Sequence, residues 1–192
     1  MPLLTGAKST LQNFTTLPID VGKCASIVHY FQSRGVSYGL GAKPLDYTAP
    51  IDANFEFVTP NGDHSSQRID CSGMSKLLIY ASSGRDTLIA DGSVNQNDWF
   101  KAKGFKHTPI TQENDPQYLI GLNSSYVYVA FCRAGTRGET IGHVWLLAYI
   151  NDAWWSLESH GGSGPDMRPK NYPTLARICT DVYVLGKNTP AA

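Results

Sequence analysis

Apolar residues recur with a helical period in the first half of the chain and with a strand period in the second. Val21, Cys24, Ala25, Val28 and Phe31 form one stripe, which predicts a helix from about Val21 to Arg34. Asp20 is placed to cap its start and Gly35 to end it. Met74, Leu77, Leu78 and Ala81 repeat the spacing and predict a second helix from about Cys71 to just before Gly84. A third is predicted from about Val94 to Lys103. Its start, Ser93-Val94-Asn95-Gln96, has the capping-box pattern, and Gly104 is a natural stop. Later, Tyr126 to Cys132 alternates like a strand, and His143 to Ile150, Ala153 to Glu158 and Asp181 to Leu185 are β-rich. Asn151-Asp152 falls between two of these runs and reads as a tight hairpin turn. Helices first and strands afterwards predict an α+β fold, with N-terminal helices packed on a central antiparallel sheet. Residues 1–18 read as an irregular arm and 45–69 as a long loop. The rest, 19–192, reads as a single domain.

Composition narrows the function classes. The chain has 192 residues, of which 42% are hydrophobic and 17% charged, enough apolar material for one sizeable core. Lys+Arg and Asp+Glu number 16 each, and no basic stripe stands out, so nucleic acid is not an expected partner. The four cysteines form no CxxC pair and no zinc-finger spacing, so no metal is expected. Cys24, Cys132 and Cys179 sit in apolar runs and read as small core residues. Residues 1–16 lack a sustained apolar run, and no stretch reads as a transmembrane span. The expectation is a soluble product made in the cytoplasm without a signal peptide, which something else must carry if it acts outside.

Cys71 differs from the other three. It falls in the first turn of a predicted helix, where free backbone N–H groups and the positive end of the helix dipole favour a thiolate. Of the five histidines, His29 reads as packed in a helix, and His64 and His107 as solvated. His143 opens a strongly apolar strand, where an imidazole needs a partner. If Asn151-Asp152 is a two-residue turn, opposed residues have numbers summing to 303. His143 then lies opposite His160, and Trp145 opposite Glu158. All three polar groups share a face, and a three-residue loop would abolish this. A nucleophile, a base and an orienting group make the Cys-His-X logic of papain-like enzymes. Glu158 is the stronger orienter of an imidazole N–H, with His160 the alternative. Asp70 reads as the helix cap. Ser72 can cap or touch substrate, and backbone N–H groups at Cys71 and the next turn would form the oxyanion hole.

Taken together, Tyr38-Gly39-Leu40-Gly41, Ile69-Asp70-Cys71-Ser72-Gly73-Met74, Gly142-His143-Val144 and Leu157-Glu158-Ser159 resemble the NlpC/P60 family of cell-wall cysteine peptidases. The order of these segments is the family's order, and the match spans about 38–160. The resemblance implies a papain-like α+β catalytic domain and cleavage of amide bonds in peptidoglycan stem peptides through a Cys71 thioester. It implies Tyr38 near the oxyanion, Asp70 and Ser72 on the stem peptide, and no cofactor. The loop 45–69 between the tyrosine turn and the cysteine departs from the family pattern. The stretch 158–165 looks like that of phage and secretion-delivered members and would form a flexible rim of the cleft. A phage lysin released through a holin fits, as does a type VI secretion effector with a cognate immunity protein. Both would act as monomers on the periplasmic wall without inserting in the membrane. Two other readings stand beside the peptidase: a thioester-forming acyltransferase or transamidase, and a non-catalytic wall-binding module.

Overall fold

The computed structural model describes residues 14–64, 66–109, 122–135, 142–169 and 179–189. Over these described residues it is α+β, with three helices and a mixed sheet. Helix α1 is Val21–Ser33, α2 is Cys71–Ser82 and α3 is Ser93–Ala102. Asp20 caps α1 by accepting from the Lys23 backbone N–H, and Gly35, at φ 68°, takes the left-handed conformation that stops it. The main sheet has seven strands in the order β1-β11-β7-β8-β9-β10, with β6 also on β11. These are β1 (Leu17–Ile19), β6 (His107–Pro109), β7 (Tyr126–Cys132), β8 (His143–Ile150), β9 (Ala153–His160), β10 (Gly164–Pro169) and β11 (Asp181–Asn188). Short strands β2 (Ser37–Tyr38) and β5 (Arg68–Ile69) pair in parallel, and β3 (Lys43–Pro44) pairs with β4 (Phe57–Val58).

Helix α2 lies over β8 and β9, and α1 over β9 and β10. Val28 and Phe31 of α1, Leu77 and Leu78 of α2, and Val144 and Leu146 of β8 meet in the main core on that face. Trp145 and Leu147 alternate to the other face, where they pack with Tyr128, Cys132, Cys179 and Val182. Cys24, Cys132 and Cys179 are all buried, as their apolar surroundings predict. Burial pushes the Cys24 thiol up to about 12, which keeps it protonated and unreactive.

Four expectations need correcting. The sheet is not wholly antiparallel, because β1 runs parallel to β11. The same pairing removes Leu17 and Pro18 from the predicted arm, whose residues 1–13 lie outside the described residues. Gly186 makes this approach possible: a Cβ there would lie 1.7 Å from the Leu17 carbonyl oxygen. The stretch after Glu158 is not a flexible rim. Residues 159 and 160 continue β9, and 164–169 return as β10, antiparallel to it. The capping box at α3 does not form. Gly92 is the N-cap, and the Gln96 amide donates instead to the carbonyls of Ser72 (2.8 Å) and Ala90 (3.1 Å).

A buried carboxylate ties α3 to the sheet. Asp181 is fully buried and accepts from the Arg133 Nε and Nη2 (2.8 Å each), Asn97 Nδ2 (3.2 Å) and Thr180 Oγ1 (3.0 Å), and bonds His107 Nε2 (2.8 Å). Burial opposes the charge, but these donors outweigh it and hold the carboxyl below its usual range.

Candidate active site

The start of α2 is clamped before its first residue. Asp70 caps the helix through its Oδ1, which accepts from the Gly73 N–H at 2.7 Å. The same carboxylate accepts from Ser72 Oγ (3.0 Å), Lys43 Nζ (2.6 Å) and the Gly41 N–H (3.1 Å). The Asp70 N–H donates back to the Ala42 carbonyl at 2.9 Å. The glycine-rich turn at 39–43 is thereby fastened to the helix end. Asp70 and Ser72 are both buried, with their polar atoms spent on this cluster. The arrangement holds Cys71 at the first helical position, where the N–H groups of the first turn lack intrahelical acceptors. Its Sγ lies 3.9 Å from the Gly142 carbonyl oxygen, one residue before His143.

His143 begins β8, opposite Cys132 of β7. Its Nε2 bonds Glu158 Oε2 at 2.7 Å. The hairpin that brings them together has the register expected from a two-residue turn: Ile150 faces Ala153 and Leu146 faces Leu157. Asn151 and Asp152 reach it with φ of 48° and 62°, the left-handed pair a tight primed turn requires. Glu158 is buried, and its second oxygen, Oε1, accepts from Ser156 Oγ at 2.5 Å. The imidazole stacks on Trp145, with ring centres 5.2 Å apart and planes at 25°.

Burial alone would lower the His143 pKa. Hydrogen bonds to Cys71 and Glu158, and their charges, outweigh it and raise it from 6.5 to about 9. With Nε2 on Glu158, Nδ1 is the nitrogen left for Cys71. The raised pKa favours an imidazolium at neutral pH, between the Cys71 sulfur and the Glu158 carboxylate. A raised pKa stabilises the fold fully below about 6.5, and that contribution is lost as pH rises through about 9. Any reaction that needs the imidazolium is expected to lose rate over the same basic limb. A pH–rate profile of Cys71 alkylation by an anionic reagent, which the imidazolium would attract, checks this, and a rate that does not fall by pH 10 would refute it.

Tyr38 is half-buried in β2, beside Ile69 of β5, so the loop after the tyrosine turn folds back and keeps Tyr38 near the helix start. Burial pushes its phenol up to about 12, and the Cys71 and Asp70 charges add to the shift. It is therefore a neutral hydroxyl donor throughout the working range. His160 is bonded within its own turn. Its Nδ1 meets the Gly161 carbonyl and its Nε2 meets Ser163 Oγ, both at 2.8 Å, with Asp166 3.7 Å away. His29 bonds Gln32, and His107 bonds Asp181, so neither joins Cys71.

Three residues escaped the sequence reading. Lys43 partners Asp70 across 27 positions, which no local pattern reveals. Trp145 stacks on the imidazole, and its two-residue alternation with His143, which places them on one face, is the signal for it. Ser156 shares that alternation with Glu158, and this was the signal that could have found it. A cavity of about 380 Å³ lined by Ser93, Asn97, Arg133 and Gly142, among others, opens alongside the thiol's neighbour. Among the described residues no group of three His, Cys, Asp or Glu side chains could hold a metal ion, and no helix is long and apolar enough to cross a membrane. No protein-family model matches this chain, and no curated protein matches it.

Proposed function

We propose that the protein is a cysteine hydrolase of papain-like, NlpC/P60 type that cleaves amide bonds in peptidoglycan stem peptides. The observation that carries the reading is the imidazole of His143, bonded to buried Glu158 at 2.7 Å, next in the chain to Gly142, whose carbonyl lies 3.9 Å from the Cys71 thiol at the tip of a capped helix. Glu158 is the third member, and His160 serves the β9–β10 turn.

The chemistry follows from the residues. The Cys71 thiolate attacks the amide carbon, forming a C–S bond, and the oxyanion lies toward the backbone N–H groups of the first turn and the Tyr38 hydroxyl. The C–N bond breaks as the His143 imidazolium gives its proton to the leaving amine. Neutral His143 then takes a proton from water, whose oxygen attacks the thioester. The C–S bond breaks, the acid leaves, and the thiolate–imidazolium pair is restored. Glu158 keeps the ring in one tautomer and steadies its charge. Because Asp70 and Ser72 are consumed by the helix clamp, stem-peptide contacts fall to their neighbours and to the cavity beside Gly142. Action on the wall follows delivery by a secretion system or a holin.

Incubation with purified Gram-negative sacculi tests this. Soluble muropeptides with one new amino terminus and one new carboxyl terminus are expected by mass spectrometry. If no product is released while Cys71 is still alkylated selectively at neutral pH, the peptidoglycan assignment is overturned and a cysteine hydrolase of another amide remains.

A further inference from the structure

The catalytic carboxylate has two oxygens, and only one faces the histidine. The other is held by Ser156, two residues earlier on the same face of β9. Ser156 is fully buried, and its hydroxyl has no solvent to turn to. Its Oγ–H donates to Glu158 Oε1 at 2.5 Å. A serine inside an otherwise apolar run, Trp154-Trp155-Ser156-Leu157, costs burial energy unless it is bonded. Here its bond goes to a carboxylate that is itself buried and already committed to His143.

We infer that Ser156 is a positioning residue of the catalytic array, fixing the Glu158 carboxylate so that Oε2 meets His143 Nε2. The inference rests on the Cys71–His143–Glu158 reading and extends it to a four-residue chain. The physical argument has two parts. A buried carboxylate with one donor removed is a costlier anion, so it attracts the imidazolium less well. A carboxylate that loses its Ser156 donor can also rotate more readily about its terminal bond and present a poorer angle to the ring. Both effects reach Cys71 through His143, and Ser156 itself touches no reacting atom.

The groups facing His143 are Cys71 from α2, Glu158 from β9 and Cys132 opposite on β7, with His160 further along β9 and Asp70 and Tyr38 beyond the thiol. Any of them could colour a pH profile, so the test compares variants at one position and one control. Cys71 is alkylated with iodoacetate across pH 4–11 and quantified by peptide mass mapping, a readout that needs no wall substrate. Iodoacetate is an anion, so its reaction falls as the neighbouring imidazolium loses its proton.

For the wild type the basic limb is expected near pH 9. Ser156→Ala should move that limb about one unit toward neutrality and slow hydrolysis roughly tenfold, chiefly in kcat rather than KM. Ser156→Thr, which keeps the hydroxyl, should restore most of both. If Ser156→Ala does not fold, Ser156→Cys, with a weaker donor of similar shape, is read in the same way. An unmoved limb in Ser156→Ala, with a moved limb in Glu158→Gln, overturns the role of Ser156 and leaves the triad standing. A limb unmoved in both variants overturns the triad itself.

Discussion

Cys71→Ala is expected to abolish muropeptide release, with a fall of roughly 10⁵–10⁶-fold that reaches background. The size follows from what is removed. Alanine leaves no atom able to form the thioester, and the nearest alternatives do not replace it: Cys24 is buried with its thiol pushed up to about 12, and Ser72 is tied to Asp70 and Lys43. The fold should hardly notice. Cys71 lies at a helix end, alanine is a good helix former, and the cap that secures the end belongs to Asp70. His143→Ala should cost nearly as much, and the double variant no more than the worse single one, because the two groups act as one unit. Release from sacculi, followed by chromatography alongside circular dichroism as a fold control, measures this. Release at a tenth of the wild-type rate by Cys71→Ala would remove Cys71 from its role as nucleophile.

Asp70→Ala should have the largest effect on stability of any change around the site. Alanine removes the cap of α2, worth about 1 kcal/mol. It also strips acceptors from the Lys43 ammonium, the Gly41 N–H and the Ser72 hydroxyl, which meet at one carboxylate. The Lys43 side chain is about one-fifth exposed, so it recovers part of the loss by turning to water. The expected cost is about 2–4 kcal/mol, a fall in Tm of roughly 5–12 °C, readable by calorimetry. Activity should drop further than stability at permissive temperatures, since the turn at 39–43 and the first helical turn would no longer be fastened together. Asp70→Asn, which keeps an oxygen for the Gly73 N–H, should retain the cap and lose the ion pair. A loss in Asn equal to that in Ala would show that the Lys43 contact, rather than the cap, dominates.

Local rules carried the parts of this molecule that depend on neighbours in the chain. Helices α1 and α2 follow from apolar spacing, and Asp20 and Asp70 cap as short polar side chains before a helix should. The Asn151-Asp152 turn was enough to set the register, and with it the shared face of His143 and Glu158. Where the reading failed, partners distant in sequence had won. Gln96 looks like the second half of a capping box, yet the carbonyl of Ser72, 24 positions away, recruits its amide. Gly164-Pro165 and Pro169 carry strand-breaking residues, yet their segment pairs with β9 over six positions. Pro18 in β1 is tolerated for a related reason: that strand lies at the edge of the sheet. The choice between Glu158 and His160 could not be made from register, which puts both on one face. What distinguishes them in the structure is bonding: Glu158 meets His143, whereas Ser163, Gly161 and Asp166 draw the second imidazole into the turn.

The turn at Asn151-Asp152 acts at a distance. It sits eight residues from His143, roughly 26 Å of strand at 3.3 Å per residue. Side chains there touch neither the thiol nor the imidazole, and many residue types able to adopt left-handed φ could replace them. Their number, however, behaves like a reading frame. One residue inserted or lost would slide β9 by one place against β8 and carry Glu158 and Ser156 to the opposite side, while Leu157 and Ser159 took their positions. Drift in the identity of the two residues is therefore tolerable to the chemistry, whereas drift in their count is not. A descendant of this protein with a three-residue turn here would keep its cysteine and histidine in place and still have parted the imidazole from its buried carboxylate.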